Sequence, residues 1–350
     1  MHARIGAALE ELYGVEVEDH ASELAHHFAE AEAVTGTEKL VRYCLLAGEQ
    51  ALAVYAFEEA LLHFGRALAA REEQPPDANT AALLFGLARA QAATRYRNEY
   101  QEPIRNLRLA FDRYLQAGDV AAAVAVAQYS LSPPRGVDTG RSELISQALT
   151  LVPTDSLDAG FLFAEFGLSL YHDTGNYYGA EEAFGRALVI AQREQDLALE
   201  MRTLAHATEV DVWNLRWQEV PVKGRRAIEL ARRLDAPLVE VAVSFETARA
   251  LAAMGELAEA QLLSATMLTA AQRLRDVPSL IFALWTNGTL CRSVGNWQDA
   301  RASLERGLSV RPTARTLLSD LAVLDHQVGD LAQGKARVEQ LREIPPAGFG

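Results

Sequence analysis

The sequence is poor in cysteine and has no long apolar stretch. Its 350 residues include two cysteines, Cys44 and Cys291, which are too few for a disulfide framework or a cysteine-ligated zinc module. No apolar run approaches the roughly 20 residues that a membrane-spanning helix needs. Glu10 and Glu11 stand where a signal peptide would carry its apolar segment. We therefore expect a cytoplasmic protein, without a membrane anchor, whose thiols are reduced.

Positive charge is also scarce, because 33 Lys and Arg residues stand against 47 Asp and Glu residues and give a net charge of −14. Such a field repels a phosphate backbone, so we expect no direct binding of nucleic acid. The sequence has no Gly-x-x-x-x-Gly-Lys-Ser/Thr loop for a nucleotide and no Gly-x-Ser-x-Gly nucleophile elbow. These absences predict a protein that is not an enzyme and that carries no cofactor.

What the sequence does contain is a repeat of about forty residues. In the segment 55–68 a small, a bulky and a second small residue follow each other at helical spacing, as Ala60, Phe64 and Ala67. The pattern returns in 177–190 and 297–310. Its first position falls near residues 60, 100, 141, 180, 220, 260, 300 and 334, with Tyr100, Arg141 and Val220 as larger residues in the small-residue position.

Each copy has a partner helix upstream, and glycine marks the turn between the two helices. Glycine after a helix end, followed by Asn, Asp or Glu, is typical of a C-cap and N-cap pair, and hence of a helical hairpin. The turn glycines are Gly175, Gly255, Gly295 and Gly329. Prolines fall between hairpins, where they end one unit without breaking a helix; they are Pro153, Pro237, Pro278, Pro312, Pro345 and Pro346.

The cleanest copy, with Gly175, Tyr177, Ala180, Phe184 and Ala187, resembles the tetratricopeptide repeat. That family has a usual period of roughly 34 residues. The longer period here resembles the repeat arm of bacterial signal-transduction ATPases, such as the maltose-regulon transcription activator. The N-terminal segments 2–14 and 17–31 resemble the stretch that leads into such an arm.

The fold expected from this pattern is an all-α, right-handed α-solenoid of tetratricopeptide-like hairpins. An N-terminal helical pair is expected over residues 1–37, and an array of about eight hairpins over residues 38–350. The resemblance implies a recognition role, as the sensor or regulatory arm of a bacterial signal-transduction regulator that acts in transcription. The alternative is a stand-alone scaffold that mediates protein–protein interaction.

Such an array presents a concave groove lined by the first helix of each hairpin. Aromatic and arginine side chains there would bind a protein, peptide or small-molecule effector, with a preference for an anionic or aromatic one. The alternative is that Trp213, Phe245 and Trp285 fill gaps between hairpins. The tetratricopeptide pattern places these residues in the groove: Glu165, His172, Arg202, Glu209, Trp213, Phe245, Arg249, Phe282, Trp285 and Arg292.

Three further features have a structural explanation that we favour over a functional one. His20, Glu23 and His27 share a helix face, but the two histidines are two turns apart, so we expect no metal site. The basic runs 225–234 and 94–108, the second with Tyr96 and Tyr100, are expected to be solvated faces rather than anion sites. The irregular segment 130–142 is expected to be a long loop within one hairpin, either functional or merely tolerated.

Overall fold

A computed structural model describes residues 1–72, 77–94, 101–131, 138–274 and 276–344. These residues form helices and no strand. A 3₁₀ helix spans Gly14–His20. The α-helices are α1 His2–Tyr13, α2 Ala21–Ala29, α3 Glu32–Thr35, α4 Thr37–Ala53, α5 Phe57–Ala69, α6 Ala78–Thr94, α7 Gln101–Gln116, α8 Val120–Ala127, α9 Arg141–Leu149, α10 Leu157–Thr174, α11 Tyr177–Glu194, α12 Leu197–Trp213, α13 Val220–Arg233, α14 Pro237–Ala253, α15 Leu257–Arg273, α16 Val277–Ser293, α17 Trp297–Val310, α18 Arg315–Gln327 and α19 Leu331–Glu343.

The helices from α4 onward follow each other as hairpins. Within each hairpin the two helices pack together, as α4 with α5 and α16 with α17 do, and the first helices of neighbouring hairpins also touch, as α12, α14, α16 and α18 do in turn. Among the described helices, none combines the length and the hydropathy of a bilayer-spanning segment. The predicted all-α repeat is therefore confirmed.

Contacts divide the chain into two units. One unit comprises Met1–Thr154 with His172–Thr174, and the other comprises Asp155–Tyr171 with the described residues from Gly175 onward. In the first unit the N-terminal helices share one core with α4 to α6, where the ring of Phe28 stacks on Tyr43 with centroids 5.5 Å apart. The predicted boundary at residue 37 stays a prediction.

Local sequence explains where the helices begin and end. The side chains of Asp196 and Asp276 each accept a hydrogen bond of 2.7 Å from a backbone N–H in the first turn of the following helix. Gly255 and Gly295 have positive φ, of 84° and 79°, and both lie in the turn between two helices of a hairpin. Pro237 begins α14, a position where the missing N–H costs no intrahelical bond.

The small and bulky residues of the repeat hold each hairpin together. A Cβ atom added to Gly48 on α4 would lie 2.5 Å from the ring of Phe64 on α5, and one added to Gly86 on α6 would lie 2.4 Å from the same ring. Glycine therefore lets three helices close on one phenylalanine. In the second unit Gly288 packs on Leu304 in the same way, with a Cβ distance of 2.6 Å.

The copies of the repeat pattern near Tyr100 and at Arg141 depart from the others. Tyr100 lies outside the described residues, and in α7 the three buried positions of the pattern are instead Pro103, Leu107 and Ala110, which shifts this copy by three residues. Arg141 is buried, and its guanidinium donates a hydrogen bond to the carbonyl of Tyr129. A buried arginine thus replaces a small residue because its charged end is hydrogen-bonded.

Candidate recognition face

An aromatic cluster joins two neighbouring first helices of the second unit. The ring of Phe245 on α14 lies 5.3 Å from that of Phe282 and 5.8 Å from that of Trp285, both on α16. Phe282 and Trp285 are three residues apart and therefore lie on one face of α16. Phe282 is 44% exposed, whereas Phe245 and Trp285 are half-buried.

Arg249 extends this cluster to a third helix. Its guanidinium lies 5.1 Å from the ring of Trp213 on α12 and 5.3 Å from the ring of Phe245, which is the geometry of a cation–π contact. Glu246 accepts a hydrogen bond of 2.8 Å from the same guanidinium. The arginine is thus fixed between two rings and one carboxylate.

Asp320 on α18 fixes the far end of the cluster. Its carboxylate accepts hydrogen bonds from the indole N–H of Trp285, from Thr289 Oγ1 at 3.4 Å and from Arg292 Nη2 at 3.0 Å. Arg292 also donates to Gln327 Oε1 at 3.3 Å. Sequence reasoning missed Asp320, because a single acidic residue in a polar helix gives no local signal.

We use the term recognition face for the surface of α12, α14 and α16 that these contacts define. Six of the ten predicted groove residues meet there: Trp213, Phe245, Arg249, Phe282, Trp285 and Arg292. Trp213 and Trp285 also pack against buried residues of the hairpins beneath them. The gap-filling alternative therefore stays open for both tryptophans, and the binding role of the face stays a prediction.

Two predicted groove residues are enclosed instead. Glu165 on α10 is 0% exposed, with Oε1 3.0 Å from His206 Nε2 and 3.6 Å from Arg202 Nη1, both on α12. His172 is also 0% exposed. The prediction that these side chains point into an open groove is wrong. The carboxylate of Glu165 can be buried because it has a guanidinium beside it.

Arg202 and Glu209 lie on the α12 stripe that ends at Trp213, and both are half-buried. Arg202 stacks over the ring of Phe161 at 4.8 Å. Each predicted groove arginine thus has a carboxylate neighbour, namely Glu165 for Arg202, Glu246 for Arg249 and Asp320 for Arg292. The expected surplus of positive charge, which was the reason to favour an anionic effector, is not present at these three arginines.

His20, Glu23 and His27, which share a helix face but are not expected to bind a metal, contact other side chains. The ring of His20 stacks on Tyr13 at 3.6 Å, and Glu23 accepts a hydrogen bond of 2.7 Å from the Tyr13 hydroxyl. His27 Nδ1 instead faces His2 Nδ1 at 2.9 Å. In the described part of the chain no three His, Cys, Asp or Glu side chains are grouped as metal ligands.

Three arginines of the basic run on α13 form ion pairs. Arg225 makes two hydrogen bonds of 2.8 Å to Glu259, Arg226 binds Glu200 at 2.8 Å and 3.1 Å, and Arg232 binds Glu240 at 2.6 Å. This supports the solvated-face interpretation. In the run 94–108, residues 95–100 lie outside the described residues, and so do residues 132–137 of the loop between α8 and α9.

Comparison with solved structures finds helical repeat proteins. Aspartyl phosphate phosphatase F from Bacillus subtilis superposes with a TM-score of 0.51 and 15% identity, over 99% of this chain and 96% of that one. A Rap protein in complex with competence and sporulation factor gives a TM-score of 0.48 and 11% identity, over 87% of this chain and 97% of that one.

A third similar structure is a signal transduction ATPase with numerous domains and a tetratricopeptide repeat sensor, from Pyrococcus horikoshii. Its TM-score is 0.49 and its identity 13%, over 92% of this chain and 52% of that one, so this chain spans about half the length of the ATPase. Neither the protein-family models nor the curated proteins match the sequence. At such identities the similarity to the Bacillus phosphatase shows the fold alone, an all-α solenoid of helical repeats.

Proposed function

We propose that this chain is a non-catalytic recognition protein whose second unit binds a protein or peptide partner on the recognition face. The observation that carries this proposal is the exposed ring of Phe282, which packs against the ring of Phe245. The ring of Phe245 also contacts that of Trp285, and Arg249 and Asp320 fix the positions of these two rings. Rigid aromatic side chains beside arginines are the residue types that dominate binding energy at protein interfaces.

The long repeat period and the N-terminal segments 2–14 and 17–31 support a place in a bacterial signal-transduction regulator, as its sensor arm in the cytoplasm. The alternative is an independent scaffold with the same binding face. An in-frame ATPase domain in the flanking coding sequence would support the arm, and its absence would favour the scaffold. The phosphatase activity in the name of the Bacillus protein is that protein's own, and we assign none to this chain.

The binding role can be tested by selecting partners from a phage-displayed peptide library on the wild-type chain. Phe282→Ala and Trp285→Ala should weaken the selected peptide by at least about 2 kcal/mol, or roughly 30-fold in Kd, since both remove anchor rings. Leu262→Ala is the matched control, because Leu262 is 69% exposed and lies on α15, the second helix of its hairpin, whereas the cluster residues lie on first helices of the same unit. It should leave the affinity unchanged.

Melting temperatures separate binding from packing. If Phe282→Ala and Trp285→Ala lower the melting temperature sharply while the affinity stays at the wild-type value, the rings fill gaps between hairpins. Selection of peptides that bind all variants equally would also contradict the proposal.

A further inference from the structure

We infer that the partner carries an apolar anchor flanked by Lys or Arg side chains, and not by carboxylates. This inference rests on the proposed function and specifies the chemistry of the partner. It comes from the charges around the aromatic cluster, which differ from those that the arginine content alone would predict.

The arginines of the face are already neutralised. Arg249 is hydrogen-bonded to Glu246 and Arg292 to Asp320, at 2.8 Å and 3.0 Å. On α12, Arg202 lies beside the buried carboxylate of Glu165. Each of these three guanidinium groups thus already has a carboxylate beside it.

A carboxylate on the partner would have to compete with these pairs. At Arg292 it would displace Asp320, a largely buried carboxylate that also holds the indole N–H of Trp285. Breaking that arrangement would leave the Asp320 carboxylate poorly solvated and would free the indole of Trp285. Both effects disfavour an anionic ligand.

A cationic side chain on the partner would not have to compete with the carboxylates for these arginines. The contacts of Arg249 with Trp213 and Phe245 show that rings of this face take a guanidinium at 5.1 Å and 5.3 Å. The net charge of −14 also draws cationic segments toward the protein and raises their association rate. Apolar anchorage on Phe282 together with flanking positive charge is therefore the complementary chemistry.

The test uses three fluorescein-labelled peptides with one central Leu-Trp-Leu sequence, flanked on both sides by two Lys, two Ser or two Glu residues. Binding is measured by fluorescence anisotropy in 150 mM NaCl. We expect the Lys-flanked peptide to bind at least tenfold more tightly than the Glu-flanked one, with the Ser-flanked peptide between them. Phe282→Ala should weaken the Lys-flanked peptide at least tenfold, and Leu262→Ala should not.

Charge variants test the cause of the preference. Glu246→Gln and Asp320→Asn each release one arginine of the face, so each should reduce the preference for Lys over Glu flanks at least threefold. Glu259→Gln is the matched control, because it removes one negative charge from the ion pair with Arg225 on α13 and leaves the face untouched. It should leave the preference unchanged. Using two separate face variants protects the test against misfolding of either one.

The outcomes are distinguishable. Equal or tighter binding of the Glu-flanked peptide, still dependent on Phe282, overturns the inference and leaves the proposed function standing. If the Lys-flanked peptide binds tightly regardless of Phe282→Ala while binding of the Ser-flanked peptide still depends on Phe282, net charge alone attracts it, and the inference is overturned while the proposed function stands. If no peptide binds in a manner that depends on Phe282, the proposed function fails and the inference fails with it.

Discussion

The first hairpin, α4 with α5, and the seventh, α16 with α17, have the same helix–helix packing but differ in where their aromatic residues lie. In both, a glycine of the first helix packs on a bulky residue of the second, Gly48 on Phe64 and Gly288 on Leu304. The first hairpin encloses its phenylalanine completely. The seventh closes on a leucine and carries its aromatic rings on the surface instead.

Aligning the two glycines shows where the difference lies. Arg42 and Leu45 on α4 correspond to Phe282 and Trp285 on α16. Arg42 lies over the ring of Tyr43 at 5.4 Å, as a charged residue on an exposed helix face. Because this packing needs only a glycine and one bulky partner, the positions three and six residues before the glycine can vary. The repeat thus keeps its packing while one hairpin carries the aromatic residues that we propose to bind a partner.

Removing an aromatic ring should change the free energy of unfolding much more in the first hairpin than in the seventh. Phe64→Ala should lower the free energy of unfolding of the first unit by about 3–5 kcal/mol, because it leaves a cavity between three helices. Phe282→Ala should cost less than about 1 kcal/mol, since much of that ring is already in water. Urea titrations followed by circular dichroism measure both. Equal losses would mean that Phe282 is a core residue.

Adding a methyl group at the two glycines should also destabilise the first hairpin more than the seventh. Gly48→Ala should destabilise by about 1–3 kcal/mol, because Phe64 is held on its other side by Gly86 and cannot move away. Gly288→Ala should cost less, since a leucine side chain can shift more easily than an enclosed ring. Gly65→Ala is the control, with no atom within 4 Å of the added methyl, and should be neutral or stabilising. A larger loss at Gly288 than at Gly48 would contradict the account.

The two hairpins also hold the two cysteines, and both are free thiols. Burial of Cys44 raises its pKa to about 11. The unfolded chain therefore loses this proton first, so stability is fully present below about pH 9 and falls as the pH rises toward 11, by about 1–2 kcal/mol. Urea titrations at pH 8, 9, 10 and 11 should show a steeper loss for the wild type than for Cys44→Ala. Parallel pH profiles would show that Cys44 does not contribute.

Sequence patterns predicted the features of this protein that depend on residues close together in the chain. The spacing of Ala60, Phe64 and Ala67 is a property of one helix, and the turn at Gly295 is a property of a few residues, so both could be read from sequence. The enclosure of Glu165 and the role of Asp320 depend on side chains from different hairpins. Contacts between helices tens of residues apart leave no periodic signal, so the pairing of Arg202 and Arg292 could not be predicted. The pair of Arg249 with Glu246 is three residues apart on one helix, and it could have been predicted from the sequence.

The position of a bound peptide tests the central claim most directly. A peptide selected on the wild-type chain can be synthesised with a benzoylphenylalanine at its apolar anchor, cross-linked by light, digested with trypsin and mapped by mass spectrometry. We expect cross-links in the fragments 234–249 and 276–292, which contain Phe245, Phe282 and Trp285. Cross-links confined to the first unit, or to the exposed side of α15 around Leu262, would contradict it.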